Sequence, residues 1–122
     1  MSEDHLNILV VDDDQSISFL LSEILNLWHH NVTIKHNAAD ALVSIEAENF
    51  DIIFTDMLMP EMNGMELVQK AIFIKPEIKR RIVFTTGMSG QSFGAEYQDF
   101  IVLEKPFKIK DVKSAIEEIA TN

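Results

Sequence analysis

Five short apolar runs recur along this chain, and segments with helical periodicity separate most of them. The runs cover residues 8–11, 32–34, 52–55, 82–86 and 100–103. After the first run, Ile17, Leu20, Leu21, Ile24, Leu25 and Trp28 repeat at helical spacing and form one apolar stripe. Asn37 with Asp40 reads as a helix N-cap, and Ala41, Leu42 and Ile45 give that helix its buried face. Beyond Pro60 and Gly64, Leu67, Val68, Ala71 and Ile72 mark a third helix, and Ile109, Val112, Ile116 and Ile119 mark the last one. Residues 88–99 are the exception. They contain Gly90 and Gly94, show little periodicity, and predict a short or irregular fourth helix. Strands alternating with helices imply βαβ units, right-handed crossovers and a parallel sheet. The central runs are apolar without interruption, as strands covered on both faces are. The fold class is therefore α/β.

A parallel sheet gathers the C-terminal ends of its strands at one edge. The first run leads into Asp12, Asp13 and Asp14, the third into Asp56, and the fifth into Glu104-Lys105-Pro106-Phe107; Thr86 closes the fourth. Ligands of open α/β sheets bind outside that edge. Several carboxylates brought together there are costly without a cation. Oxygen donors of this kind suit a hard ion such as Mg²⁺. Asp56 directly follows a strand, so its carboxylate can project into the cleft, attack phosphorus and form an acyl phosphate. Mg²⁺ and Lys105 would balance the phosphoryl oxygens, and the Thr86 hydroxyl could hydrogen-bond one of them.

Composition narrows the function classes. The 122 residues fit one domain, 1–122, with one core, and 47% hydrophobic content makes disorder a poor description. A net charge of −10 opposes nucleic-acid binding and favours a bound cation or a partner with a basic patch. There are no cysteines, which removes disulfides and thiolate metal sites and fits a cytoplasmic location. Met1-Ser2-Glu3-Asp4 has no basic n-region, so it does not read as a secretory signal, and no apolar run approaches membrane-spanning length.

The ordered set Val11-Asp12-Asp13-Asp14, Asp56-x-x-Met59-Pro60-x-x-x-Gly64, Thr86-Gly87 and Lys105-Pro106-Phe107 resembles the receiver domain of two-component response regulators, over about residues 8–119. The resemblance implies a doubly wound, flavodoxin-like (CheY-like) (βα)5 fold with strand order 2-1-3-4-5. It implies Asp56 as phosphoacceptor. It implies Mg²⁺ held directly by Asp13, Asp56 and the Leu58 backbone carbonyl, with Asp12 acting largely through water. Lys105 would pair with Asp56 and then with the phosphoryl group, Thr86 would swing toward that group, and the Lys105–Pro106 bond would be cis. The implied partners are a histidine kinase or histidine phosphotransfer protein and a downstream output, with no nucleic acid or membrane bound by this domain. The implied activity is self-phosphorylation and slow dephosphorylation rather than turnover. No output segment follows Asn122, so a stand-alone receiver and an excised domain both fit.

Two departures stand out. The family's aromatic switch position, three residues before the lysine, is Val102; Tyr97 and Phe100 are near but out of register. Two positions that tune hydrolysis hold apolar Leu58 and Met88, which predicts slow loss of the phosphoryl group. A competing reading takes Asp12 and Asp14 as nucleophile and acid of a haloacid-dehalogenase-like, Mg²⁺-dependent phosphohydrolase, although Ser16 breaks that motif and the chain is short for that fold. Another takes the chain as a degenerate receiver used only for binding.

Other residues carry plainer expectations. Asp14 reads as a helix cap. His29 and His30 are expected to end the first helix as cations suited to its dipole. His5 and His36 show no convincing partner. Met57, Met59, Met62, Met65 and Met88 read as packing or loop residues rather than a copper site. Trp28 reads as helix-end packing.

Overall fold

The computed structural model describes residues 5–87 and 94–121. Five parallel strands, β1 (Asn7–Val11), β2 (Asn31–Lys35), β3 (Ile52–Asp56), β4 (Ile82–Thr86) and β5 (Ile101–Glu104), form one sheet in the order β2-β1-β3-β4-β5. Among the described residues four α-helices connect or close it, α1 (Gln15–Leu27), α2 (Ala38–Ala47), α3 (Gly64–Ile74) and α4 (Ile109–Ala120), and a 3₁₀ segment, Pro76–Arg81, leads from α3 into β4. The expected architecture and strand order are present.

Side chains alternate across the sheet, and this alternation makes two cores. Leu9, Val11, Ile53, Ile82 and Phe84 pack with α2 and α3. Ile8, Val10, Ile52, Phe54 and Val83 pack with α1 and α4. Both β3 and β4 are buried along their whole length, which is why neither shows a polar alternation in sequence. Met57, Met59 and Met65 are buried, and Met62 packs against the same layer, as apolar filler.

Local chemistry sets the helix ends. The Asp14 carboxylate accepts from Ser16 N–H and Ile17 N–H and caps α1. Asn37 caps α2 by accepting from Asp40 N–H. Asn63 and Glu66 close α3 with a reciprocal capping box. The end of α1 corrects the sequence reading. The helix stops at Leu27, His29 takes φ 67°, and the His29 and His30 N–H groups donate to Asn26 and Leu25 carbonyls. This is a Schellman ending, with His29 where glycine is usual. His30 is buried, and its Nδ1 accepts from Leu6 N–H at 3.1 Å, so it serves as a hydrogen-bond acceptor rather than as a dipole-facing cation.

Two stripe residues also differ from expectation. Leu20 and Ile109 are 45% and 58% exposed. The α1 stripe is wider than one buried face, and Ile109 is the first residue of α4. Between β4 and β5 the described residues hold only a three-residue 3₁₀ turn, Ala95–Tyr97; the readings at Met88 and Gly90 lie outside the described residues. No helix among the described residues is long and apolar enough to cross a membrane.

Candidate metal-binding carboxylate site

The carboxyl ends of β1, β3 and β4 converge because these strands are consecutive neighbours in the sheet. Asp12 lies one residue past β1, where its N–H still donates to the Lys35 carbonyl of β2 at 3.1 Å. Its side chain is almost fully buried and is held on both oxygens: Oδ1 accepts from Asp14 N–H at 2.9 Å, and Oδ2 pairs with Lys105 Nζ at 2.8 Å. Asp56 is the last residue of β3, and its Oδ2 lies 3.3 Å from the same Lys105 Nζ. Carboxylate oxygens of Asp12, Asp13 and Asp56 all lie within 4.8 Å of one another.

Lys105 reaches this place through β4. Its N–H donates to the Thr86 carbonyl at 2.8 Å, extending the β4–β5 ladder by one step, and the Lys105–Pro106 peptide is cis. Thr86 is therefore buried at the end of β4, next to the residue that supplies the cation. Leu58 N–H approaches Asp56 Oδ1 at 3.4 Å, while the Leu58 side chain is exposed. The loop beyond Asp56 turns through Glu61 at φ 72° and returns to donate Gly64 N–H to the Met57 carbonyl at 2.9 Å. A Cβ at Gly64 would run into the Asp56 carbonyl oxygen, so the close return requires glycine.

Charge in the site is unbalanced. Three carboxylates face one ammonium, leaving two negative charges in excess. Burial pushes the Asp56 carboxyl above its ordinary pKa; Lys105 opposes the shift, and the Asp12 charge adds to it. Burial pulls Lys105 down, but its hydrogen bond to Asp12 and the charges of Asp56 and Asp12 outweigh that, and its pKa is raised. An all-oxygen donor set with excess negative charge fits a small, hard divalent cation. Asp14 stands outside the cluster, and its carboxyl is held below the ordinary value by the Ser16 hydroxyl and by backbone N–H groups.

Val102 lies on β5 opposite Phe84 in register and is half-buried. Tyr97 and Phe100 both meet the Phe84 ring edge-on, with centroids 5.0 and 5.2 Å away. The aromatic rings near this position thus sit against β4 instead of occupying the Val102 position itself.

One contact at the site has no counterpart in the sequence reading. His36 Nδ1 bonds the Asp12 carbonyl at 3.1 Å, and His5 likewise bonds the His29 carbonyl. Both histidines therefore have partners. No local sequence signal marks His36; its place follows from register, in which Val11 pairs with Lys35 and the next residues on β1 and β2 fall side by side.

Comparison with known proteins agrees with this arrangement. The family profile of the response regulator receiver domain matches residues 8–117. The response regulator receiver protein CpdR of Brucella abortus is 34% identical over 115 residues, covering 92% of this chain and 94% of that protein. The DNA-binding transcriptional regulator NtrC of Azospirillum brasilense is 34% identical over 116 residues, but the chain spans only 23% of its length. Among solved structures, a CheY-like receiver domain from Methanospirillum hungatei superposes with a TM-score of 0.80 at 27% identity, covering 97% of this chain and 98% of that one. A chain from the complex of histidine kinase ThkA with response regulator protein TrrA gives 0.83 at 25% identity, covering 93% of this chain and 97% of that one.

Proposed function

The chain belongs to the response regulator receiver domain family, the phosphoacceptor side of two-component signalling, and from that premise we propose that residues 1–122 act as one receiver domain that takes its phosphoryl group on Asp56. The observation that carries this reading is the single ammonium of Lys105 shared between Asp12 and Asp56, with Asp13 completing the carboxylate cluster.

In the transfer, an Asp56 Oδ attacks the phosphorus of a phosphohistidine on a histidine kinase or phosphotransfer protein. The P–N bond breaks, the imidazole leaves with the electron pair and regains a proton, and Asp56 becomes an acyl phosphate. Lys105 would follow the charge from the carboxylate to a phosphoryl oxygen, and Thr86 would swing toward the phosphoryl group so that its hydroxyl donates to another oxygen. Asp13, Asp56 and the Leu58 carbonyl would hold Mg²⁺, with Asp12 acting largely through water; the ion supplies positive charge to the phosphoryl oxygens. The chain catalyses its own phosphorylation but is a switch, not a turnover enzyme. Its dephosphorylation is slow because the exposed Leu58 side chain offers no group to orient water. Asp14 is an unsuitable general acid for the phosphohydrolase reading, since its carboxylate is engaged by the start of α1. The intact acceptor, cation and carboxylates count against a purely passive binding module.

The output surface is the groove beside β5 and α4, about 380 Å³, where Ile101, Leu103 and Ala115 meet Glu104, Asp111 and Glu118. Its chemistry suits an apolar partner surface edged with basic side chains. A cytoplasmic location is part of this reading and fits a sequence without cysteines.

Incubation with Mg²⁺ and acetyl phosphate or beryllofluoride, read by intact mass, tests the assignment. The wild type gains one adduct and Asp56→Asn gains none. An adduct that survives Asp56→Asn, or sustained turnover lost in Asp12→Asn, overturns it.

A further inference from the structure

Asp12 and Asp13 share a peptide plane, and that plane is pinned from the neighbouring strand. His36 is the first residue beyond β2, and its Nδ1 lies 3.1 Å from the Asp12 carbonyl oxygen. A carbonyl oxygen only accepts, so Nδ1 carries the proton and donates. On the other side of the same residue, Asp12 N–H donates to the Lys35 carbonyl at 3.1 Å. With both side-chain oxygens also engaged, Asp12 is held at four points. Asp13 is different. It is exposed, and among the described residues no hydrogen bond or ion pair reaches its carboxylate. Its placement beside Asp12 and Asp56 depends on the backbone that delivers it, and the peptide bond entering Asp13 begins at the carbonyl that His36 holds.

We infer that His36 is a positioning residue for the metal site: by donating to the Asp12 carbonyl it fixes the Asp12–Asp13 peptide plane and aims the Asp13 carboxylate. The inference rests on the Mg²⁺ reading given above. Groups that orient ligands without touching the metal tune affinity because they limit the conformations a ligand must give up on binding. Loss of one such hydrogen bond corresponds to a weakening of about fivefold.

The test separates donation from bulk. An asparagine Nδ2 occupies the same branch position as the histidine Nδ1, so His36→Asn keeps the donor and loses the ring. His36→Phe keeps the ring and loses the donor. Mg²⁺ is titrated into the full chain without any phosphodonor and followed by calorimetry or amide chemical shifts, with Asp13→Asn as the ligand control. Urea unfolding in EDTA reports the stability of each variant. Expected are a roughly fivefold loss of Mg²⁺ affinity in His36→Phe, wild-type affinity within about twofold in His36→Asn, and a larger loss in Asp13→Asn. Wild-type affinity in His36→Phe, or equal weakening in both His36 variants, overturns the inference while leaving the Mg²⁺ reading in place. Failure of the wild type to bind Mg²⁺, or no effect of Asp13→Asn, overturns both.

Discussion

The two edges of the sheet treat their polar groups in opposite ways. At the amino edge, the groups are closed among themselves. Leu6 N–H donates to His30 Nδ1 and the Leu6 carbonyl accepts from Asn31 N–H; Asn7 N–H donates to the Asp51 carboxylate and the Asn7 carbonyl accepts from Asp51 N–H. At the carboxyl edge, three carboxylates crowd around one ammonium. Both edges use the same strands, and they differ in whether the chain completes its own bonding. The amino edge holds the fold. The carboxyl edge carries an imbalance of the kind a bound cation would relieve, a stability cost common at functional sites.

The contrast can be broken by substitutions of opposite expected sign. The largest effect belongs to the amino edge. His30→Leu leaves the buried Leu6 N–H without its Nδ1 acceptor and should destabilise by about 2 kcal/mol in urea unfolding; a change near zero would mean that this edge is less closed than its bonds suggest. At the carboxyl edge, Asp56→Asn should modestly stabilise the metal-free protein at neutral pH, since it removes a buried charge beside Asp12. The sign with pH follows from the raised pKa. The folded chain holds the Asp56 proton more tightly than the unfolded chain, so this group's stabilising contribution is full at low pH and is lost as pH rises through the folded pKa. Wild type and variant should converge on acidification and separate toward neutrality. A gap that widens on acidification would contradict the assigned shift. The smallest effect refines the picture of the amino edge, where His29 occupies the left-handed position of the α1 ending. His29→Gly should stabilise by roughly 0.5 kcal/mol, seen as a small rise in Tm.

Much of this arrangement is legible in the sequence. The strands could be read because buried parallel strands are continuously apolar, and Asp12, Asp13, Asp56 and Lys105 because strand ends share an edge. The chemistry of the histidines was not legible. A donor to a carbonyl across two strands, as at His36, depends on strand order and register together, and neither is a property of the residues flanking it. His30 looked like a helix-end cation because the turn that buries it depends on a positive φ at His29, a residue type that seldom signals one. Leu20 and Ile109 misled because the spacing of apolar residues shows where a helix can be buried, while the partner surface decides how wide the covered face is. Of the weakly periodic stretch 88–99, the described residues 94–99 hold one three-residue 3₁₀ turn, and the rest lies outside the described residues.

Lys105 ties the carboxylate cluster to three strands and to the groove beside β5. Its ammonium stands between β1 and β3, its N–H is stitched to β4, and the residue before it, Glu104, forms part of the wall of the groove beside β5. Lys105, whose ammonium stands beside Asp56, is joined by one peptide bond to a residue that lines that groove. Under the function proposed above, a change of charge at Asp56 would be felt one residue from that groove along the main chain, whatever side chain stands at Val102.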